Sequence, residues 1–215
     1  MHYDTLIESL KKTRMIAVVS VPDEDCAVPL AKALLEGGVD WLEITFRNEN
    51  TLGAIQRIVA AKLPIHVGAG TVRTVYQAQK AHELECEFLV SPGFNETVVK
   101  WTLAHKITLF PGVDSTLGIE MAQIAGISIL KMFPAAESGG IGWLKAMQGP
   151  YYDMQFIPTG GITMENMKEY LTLKNVIAIG GSFLAPTELI KAQKFGDITE
   201  IAKQAVQIAK SIKKY

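Results

Sequence analysis

Cysteine is scarce in this chain: Cys26 and Cys86 are the only two in 215 residues. They are too few for a disulfide framework and lack metal-ligand spacing, so reduced, structural thiols in a cytoplasmic protein are expected. An excess of either charge is also missing. With 21 basic and 22 acidic side chains the net charge is −1, which gives no electrostatic reason to expect nucleic acid or an anionic membrane as partner. No apolar run approaches the roughly 18 residues needed to span a bilayer. The N-terminal Met1-His-Tyr-Asp-Thr-Leu-Ile has no basic segment followed by an apolar core, so no signal peptide is expected. Clustered metal ligands are absent too. His82-Glu-Leu-Glu-Cys-Glu87 falls at a helix end and reads as a solvated face, His66 lies mid-strand, and His105 follows a helix. A catalytic metal is not expected.

What is present is a regular alternation. A helix over 4–13 with Leu6, Ile7 and Leu10 on one face comes first. Strands then follow at 15–19, 39–45, 65–70, 88–91, 107–110, around Lys131, at 155–159 and at 175–180. Helices are expected between them at 24–36, 50–62, 74–84, 95–104, 116–125, 140–148 and 163–171, with a last one over 197–213. Continuous apolar strands alternating with helical patterns indicate parallel βαβ units. Eight such units without a composition break predict one α/β domain over 1–215, a (β/α)8 TIM barrel whose N-terminal helix, within 1–13, caps it. An open doubly wound sheet is the competing architecture. No G-x-G-x-x-G follows the first strand, which weakens its dinucleotide-binding version.

In a barrel the chemistry sits at the C-terminal strand ends. Those positions here collect Glu43, Thr45 and Arg47; Gly68, Gly70 and Thr71; Ser91-Pro92-Gly93; Pro111-Gly112; Lys131 and Phe133; Thr159-Gly160-Gly161; and Gly180-Gly181-Ser182. Lys131 ends an apolar strand, where its ammonium either snorkels into water or enters a pocket that disfavours the charge. A free lysine titrates near about 10.4, so the second environment is the one that makes a nucleophilic amine. Glu43 lies within an apolar strand and reads as a buried ion-pair partner or as a general acid/base. Arg47, on the same strand face, offers a planar fork for a carboxylate. The two late Gly-Gly turns read as tight βα turns or as an oxyanion cradle beside helix N-termini, with Ser182 adding a hydroxyl.

Taken in order, Gly37-Gly-Val-Asp-Trp-Leu-Glu-Ile-Thr-Phe-Arg-Asn48, Val67-Gly-Ala-Gly-Thr-Val72, Val90-Ser-Pro-Gly93 and Leu130-Lys-Met-Phe-Pro-Ala135 make a recognisable series. Gly139-Gly140, Gly149-Pro150, Pro158-Thr-Gly-Gly-Ile162 and Ile179-Gly-Gly-Ser182 extend it over nearly the whole chain. The series resembles the 2-keto-3-deoxy-6-phosphogluconate (KDPG) and 4-hydroxy-2-oxoglutarate (KHG) aldolases, cofactor-independent class I lyases of the (β/α)8 fold. The resemblance implies Lys131 as the Schiff-base lysine and Glu43 as the proton-transfer carboxylate. It implies Arg47 and Thr71 as ligands of a pyruvyl carboxylate, with Pro92 and Phe133 lining the pocket. Thr159, Gly160, Gly161, Gly181 and Ser182 would hold the phosphate end. A small 2-oxo acid substrate and a homotrimeric assembly are further implications. Two departures bear on substrate preference: Gly118 stands where the family commonly has a glutamate, and Ser20 where many members have an arginine. The galactonate analogue of KDPG differs at one sugar centre and stays open as a substrate. So do a phosphate-binding barrel isomerase or synthase, a non-catalytic phosphate-binding barrel and a metal-dependent aldolase.

Overall fold

The structure is a computed structural model that describes residues 3–212. Helix α1 (Tyr3–Thr13) leads into β1 (Met15–Val19). Then come α2 (Ala27–Glu36), β2 (Trp41–Thr45), α3 (Thr51–Ala60), β3 (His66–Gly70), α4 (Val75–Glu83), β4 (Phe88–Val90), α5 (Glu96–Ala104) and β5 (Thr108–Phe110). The second half holds β6 (Gly112–Val113), α6 (Thr116–Ile124), β7 (Ile129–Met132), α7 (Gly140–Met147), β8 (Gln155–Pro158), α8 (Met167–Leu171), β9 (Ile179–Gly181), α9 (Thr187–Lys191) and α10 (Phe195–Lys210). The expected end of the last helix at 213 lies outside the described residues, as do residues 1 and 2 of the N-terminal segment.

Every strand pairing among the described residues is parallel. One sheet runs β5-β4-β3-β2-β1-β9 and a second runs β6-β7-β8. Isolated bridges, Phe156 to Val176 and Thr159 to Gly180, connect β8 with the β9 segment. On the other flank Lys131 N–H donates to Pro111 O at 3.0 Å. The chain is therefore an α/β fold built on curled parallel sheet.

Two differences from the expected strands have physical causes. The fifth strand is split, because Pro111 has no N–H for a ladder and the chain changes partner there: β5 pairs with β4, and β6 with β7. Gly112 sits so close to the Pro92 carbonyl that a side chain would collide with it. The last strand begins at Ile179, with residue 176 contributing only a bridge.

Side-chain alternation divides the core in two. Outward-facing Ala17, Leu42, Ile44, Leu130, Met132 and Phe156 pack against the helices. Inward-facing Ile16, Val18, Trp41, Phe88, Phe110, Ile129 and Ile157 form a separate apolar cluster, and Leu6, Ile7 and Leu10 of α1 belong to it. Since α1 immediately precedes β1, these residues cover the N-terminal end of the strands, and the polar inward positions are left at the C-terminal end. The two thiols are buried in the outer layer. Burial pushes the Cys86 thiol up to about 12, and burial with nearby Asp23 and Asp25 raises that of Cys26.

Candidate active site

Strand β2 carries Trp41, Glu43 and Thr45 on its inward face, as a period of two requires. Trp41 fills the lower interior against Phe88, with ring centroids 4.7 Å apart. Glu43 stands above it, opposite Val18 of β1 and Gly68 of β3. On β7 the residue above inward-facing Ile129 is Lys131, opposite Gly112 and Ile157. The two polar side chains meet: Lys131 Nζ lies 3.5 Å from Glu43 Oε1, with side-chain exposures of 3% and 2%. Lys131 Nζ also lies 5.0 Å from the centre of the Phe133 ring, within cation–π range. Thr45 is buried and donates to the Val19 carbonyl at 3.1 Å, which fixes β2 against β1.

Glycine makes the room for this pair. A Cβ at Gly70 would collide with Glu43 Oε1, and one at Gly68 would collide with the Phe88 ring. The alternate glycines of β3 are thus cut-outs in the inner wall. Directly after Gly70, Thr71 adopts φ 56°, an uncommon conformation for a β-branched residue. It accepts a hydrogen bond from Arg47 Nε at 3.3 Å. Arg47 follows the end of β2 and its guanidinium is exposed. Pro92 is half-buried beside Gly112, one residue after Ser91, whose hydroxyl donates to Gly93 O at 2.8 Å.

A cavity of about 80 Å³ adjoins the pair. Arg47, Phe133, Thr159, Gly160, Gly161, Gly181 and Ser182 line it, together with Val18, Gly180 and Ile162. Phe133 is shared between them: it lines the cavity, and Lys131 Nζ lies over its ring. Gly160 and Gly161 have φ of 94° and 73°, so only glycine suits both. Gly180 is needed for a different reason: a Cβ there would collide with Thr159 Oγ1.

The expectation of a helix start after each Gly-Gly needs correcting. Gly181 leads directly into a short 3-10 turn, Ser182–Leu184. After Gly161, however, α8 does not begin until Met167. The intervening residues form a turn in which Thr163 and Asn166 hydrogen-bond each other, and Asn166 Nδ2 donates to Gly161 O at 2.8 Å. Such side chains compete for the backbone donors that an earlier helical turn would use. Gly118 lies in α6, within the helix expected over 116–125, and packs against Val113. Ser20 follows β1 and accepts from Asn48 Nδ2 at 3.3 Å.

The histidines among the described residues are engaged away from this site. His66 bridges Ser9 Oγ at 2.8 Å and Glu87 at 2.9 Å, while His105 stacks on Trp101. Among the described residues no three His, Cys, Asp or Glu side chains gather in position to hold a metal ion. No helix among them is long and apolar enough to cross a membrane.

Of the residues expected at the site, Lys131, Glu43 and Phe133 come together in one group, and Phe133, Arg47, Thr159, Gly160, Gly161, Gly181 and Ser182 in the adjoining cavity. Arg47 and Thr71 pair with each other, and Pro92 lies outside the cavity lining. Sequence reasoning placed Gly180 in the late Gly-Gly turn read as an oxyanion cradle but assigned no role to Val18 or Ile162 in the lining, nor to Gly70 behind Glu43. For Gly70 the signal was the period of two in Gly68-Ala-Gly70, which puts a second glycine on the same strand face, two residues after Glu43's partner in register.

The family model described as KDPG and KHG aldolase matches residues 6–201. A 2-dehydro-3-deoxy-phosphogluconate aldolase of Treponema pallidum is 42% identical over 204 residues, 95% of this chain and 97% of that protein. A KHG/KDPG aldolase of Escherichia coli K12 is 38% identical over 97% of this chain and 99% of its own length. Among solved structures, the KDPG aldolase of Legionella pneumophila, with pyruvate captured as a covalent carbinolamine, superposes with a TM-score of 0.91. It is 34% identical, and the match covers 94% of this chain and 99% of that one. The family-model match over residues 6–201, with relatives 42% and 38% identical along nearly the full length, places this chain in the KDPG and KHG aldolase family.

Proposed function

We propose that this protein is a class I aldolase that cleaves KDPG to pyruvate and glyceraldehyde 3-phosphate, KHG to pyruvate and glyoxylate, or both. The observation that carries the reading is the buried Lys131–Glu43 pair at 3.5 Å. A primary amine and a carboxylate enclosed together are the two groups that Schiff-base aldol cleavage needs. In this reading the neutral Lys131 amine attacks the C2 ketone of a 2-oxo acid whose carboxylate is held by Arg47 and Thr71. Loss of water leaves an iminium ion. Glu43 takes the C4 hydroxyl proton, the C3–C4 bond breaks, and its electrons flow into the iminium to give an enamine as the aldehyde departs. The proton returns from Glu43 to C3, water adds to the new iminium, and pyruvate leaves with Lys131 restored. Phe133 shields the amine, and Pro92 borders the pocket. The cavity of Thr159, Gly160, Gly161, Gly181 and Ser182 takes the phosphate of the longer substrate, and its small volume suits one oxyanion.

The same reading makes residues 1–215 one domain in which the two sheets close into a (β/α)8 barrel. The bridges from Phe156 to Val176 and Thr159 to Gly180 on one flank, and the Lys131 N–H to Pro111 O bond on the other, support closure. Exposed Leu117 and Ile124 on α6 suit contacts between copies, in keeping with a homotrimer. Two buried free thiols suit the cytoplasm.

Treatment with pyruvate and sodium borohydride is expected to add a single reduced pyruvyl group to the wild type and none to Lys131→Ala, read by intact mass. An unmodified wild type would defeat the Schiff-base reading. Gly70→Ala is expected to push the Glu43 carboxylate off its position and lower kcat by about 100-fold, the scale of a misplacement near 1 Å. Its borohydride adduct should still form, because Lys131 is untouched. Loss of the hydroxyl in Ser182→Ala should raise KM for KDPG by about 10-fold, the scale of one charge-assisted hydrogen bond, and leave KHG cleavage unchanged. Equal effects on both substrates would remove Ser182 from the phosphate end.

A further inference from the structure

At the other end of the strands, where α1 turns into β1, there is a cavity of about 520 Å³. Its lining includes Lys11, Lys12, Arg14 and Lys210, with Glu8 as the one carboxylate among the described residues. Glu8 is already held by Lys11 at 2.6 Å, and the neighbouring Asp40 accepts from Thr13. The cavity therefore carries a surplus of positive charge from Lys12, Arg14 and Lys210.

Arg14 is the unusual member. It is 8% exposed, it adopts φ 60°, and it connects α1 directly to β1. Glycine would occupy that backbone conformation without strain, so this arginine is accommodated against local preference. Its Nη2 donates to Leu171 O, the last carbonyl of α8, but its Nε is buried without a partner among the described residues. Burial lowers its pKa, and no carboxylate among the described residues offsets the effect. A buried guanidinium with one donor unfilled and no carboxylate beside it among the described residues is costly, and an oxyanion in the cavity that Arg14 lines supplies the missing counter-charge.

We propose that this cavity is a binding site for a small polyvalent phosphate anion, with Arg14 as its anchor and Lys12 and Lys210 as further contacts. A surplus of three cations matches a diphosphate-type ligand better than a single carboxylate. The site is separate from Lys131, which lies at the C-terminal end of β7, so occupancy does not compete with a substrate at the aldolase site.

Lysine acetylation footprinting tests the proposal, with inorganic pyrophosphate as the probe and sodium chloride at matched ionic strength as the control. Pyrophosphate is expected to protect Lys12 and Lys210 saturably in the wild type, while Lys145 and Lys191 stay equally reactive. In Arg14→Gly, which suits the backbone conformation, the protection midpoint should rise by about 10-fold or more, as expected for losing a charge-assisted contact. If that variant does not fold, Lys210→Gln provides the second reading, with Lys12 losing its protection. Equal protection by sodium chloride would overturn the proposal. So would an unchanged midpoint in Arg14→Gly, which would leave the guanidinium as a donor to the end of α8 and nothing more, or unchanged Lys12 protection in Lys210→Gln.

Discussion

A lysine and a glutamate, each almost wholly removed from solvent, face one another across 3.5 Å at the ends of β7 and β2. Burying one charge alone would cost several kcal/mol, and even a pair recovers that only with good geometry. The strands around them supply it. Glu43 is fixed by register to both β1 and β3, and Lys131 to both β6 and β8. The apolar layer of Trp41, Phe88 and Ile129 lies beneath the pair on the same inward face. Removing either partner leaves the other as an uncompensated buried group, so the pair is a constraint on the whole inner wall.

Much of the surrounding site is made by leaving atoms out. Gly70 and Gly68 open space for Glu43 and Phe88, Gly180 for Thr159, and Gly112 for the Pro92 carbonyl. Gly160 and Gly161 instead supply a backbone path that L side chains rarely follow. These roles are different in kind. The first group fails when a Cβ is added at ordinary φ, and the second because φ itself is positive. The cavity is thus walled largely by backbone, while the Lys131 amine lies beside the Phe133 ring.

The inward set of β2 was legible in the sequence because side chains alternate with a period of two, and Glu43 interrupts an otherwise apolar strand. Lys131 was legible for the same reason, as a cation ending a buried run. The starts of α4 and α5 were equally readable, since Thr74 and Asn95 carry the side chains that bond the first free N–H groups. Other features depend on partners far away in the chain. Pro111 signals a lost donor, but only the tertiary arrangement shows that it separates two strand partners. The turn after Gly161 depends on Thr163 and Asn166 choosing each other over a helical start. Arg14 carried no periodic signal at all, because a junction residue belongs to neither the helix pattern nor the strand pattern.

Proton exchange at the methyl group of pyruvate in D2O, followed by 1H NMR, tests the Lys131–Glu43 account most directly. It isolates enamine formation and C3 protonation from aldehyde binding. The wild type should exchange all the methyl protons, Lys131→Ala none, and Glu43→Gln should exchange far more slowly than wild type while still forming the borohydride adduct. Exchange by Glu43→Gln at the wild-type rate, or any enzymatic exchange by Lys131→Ala, would contradict it.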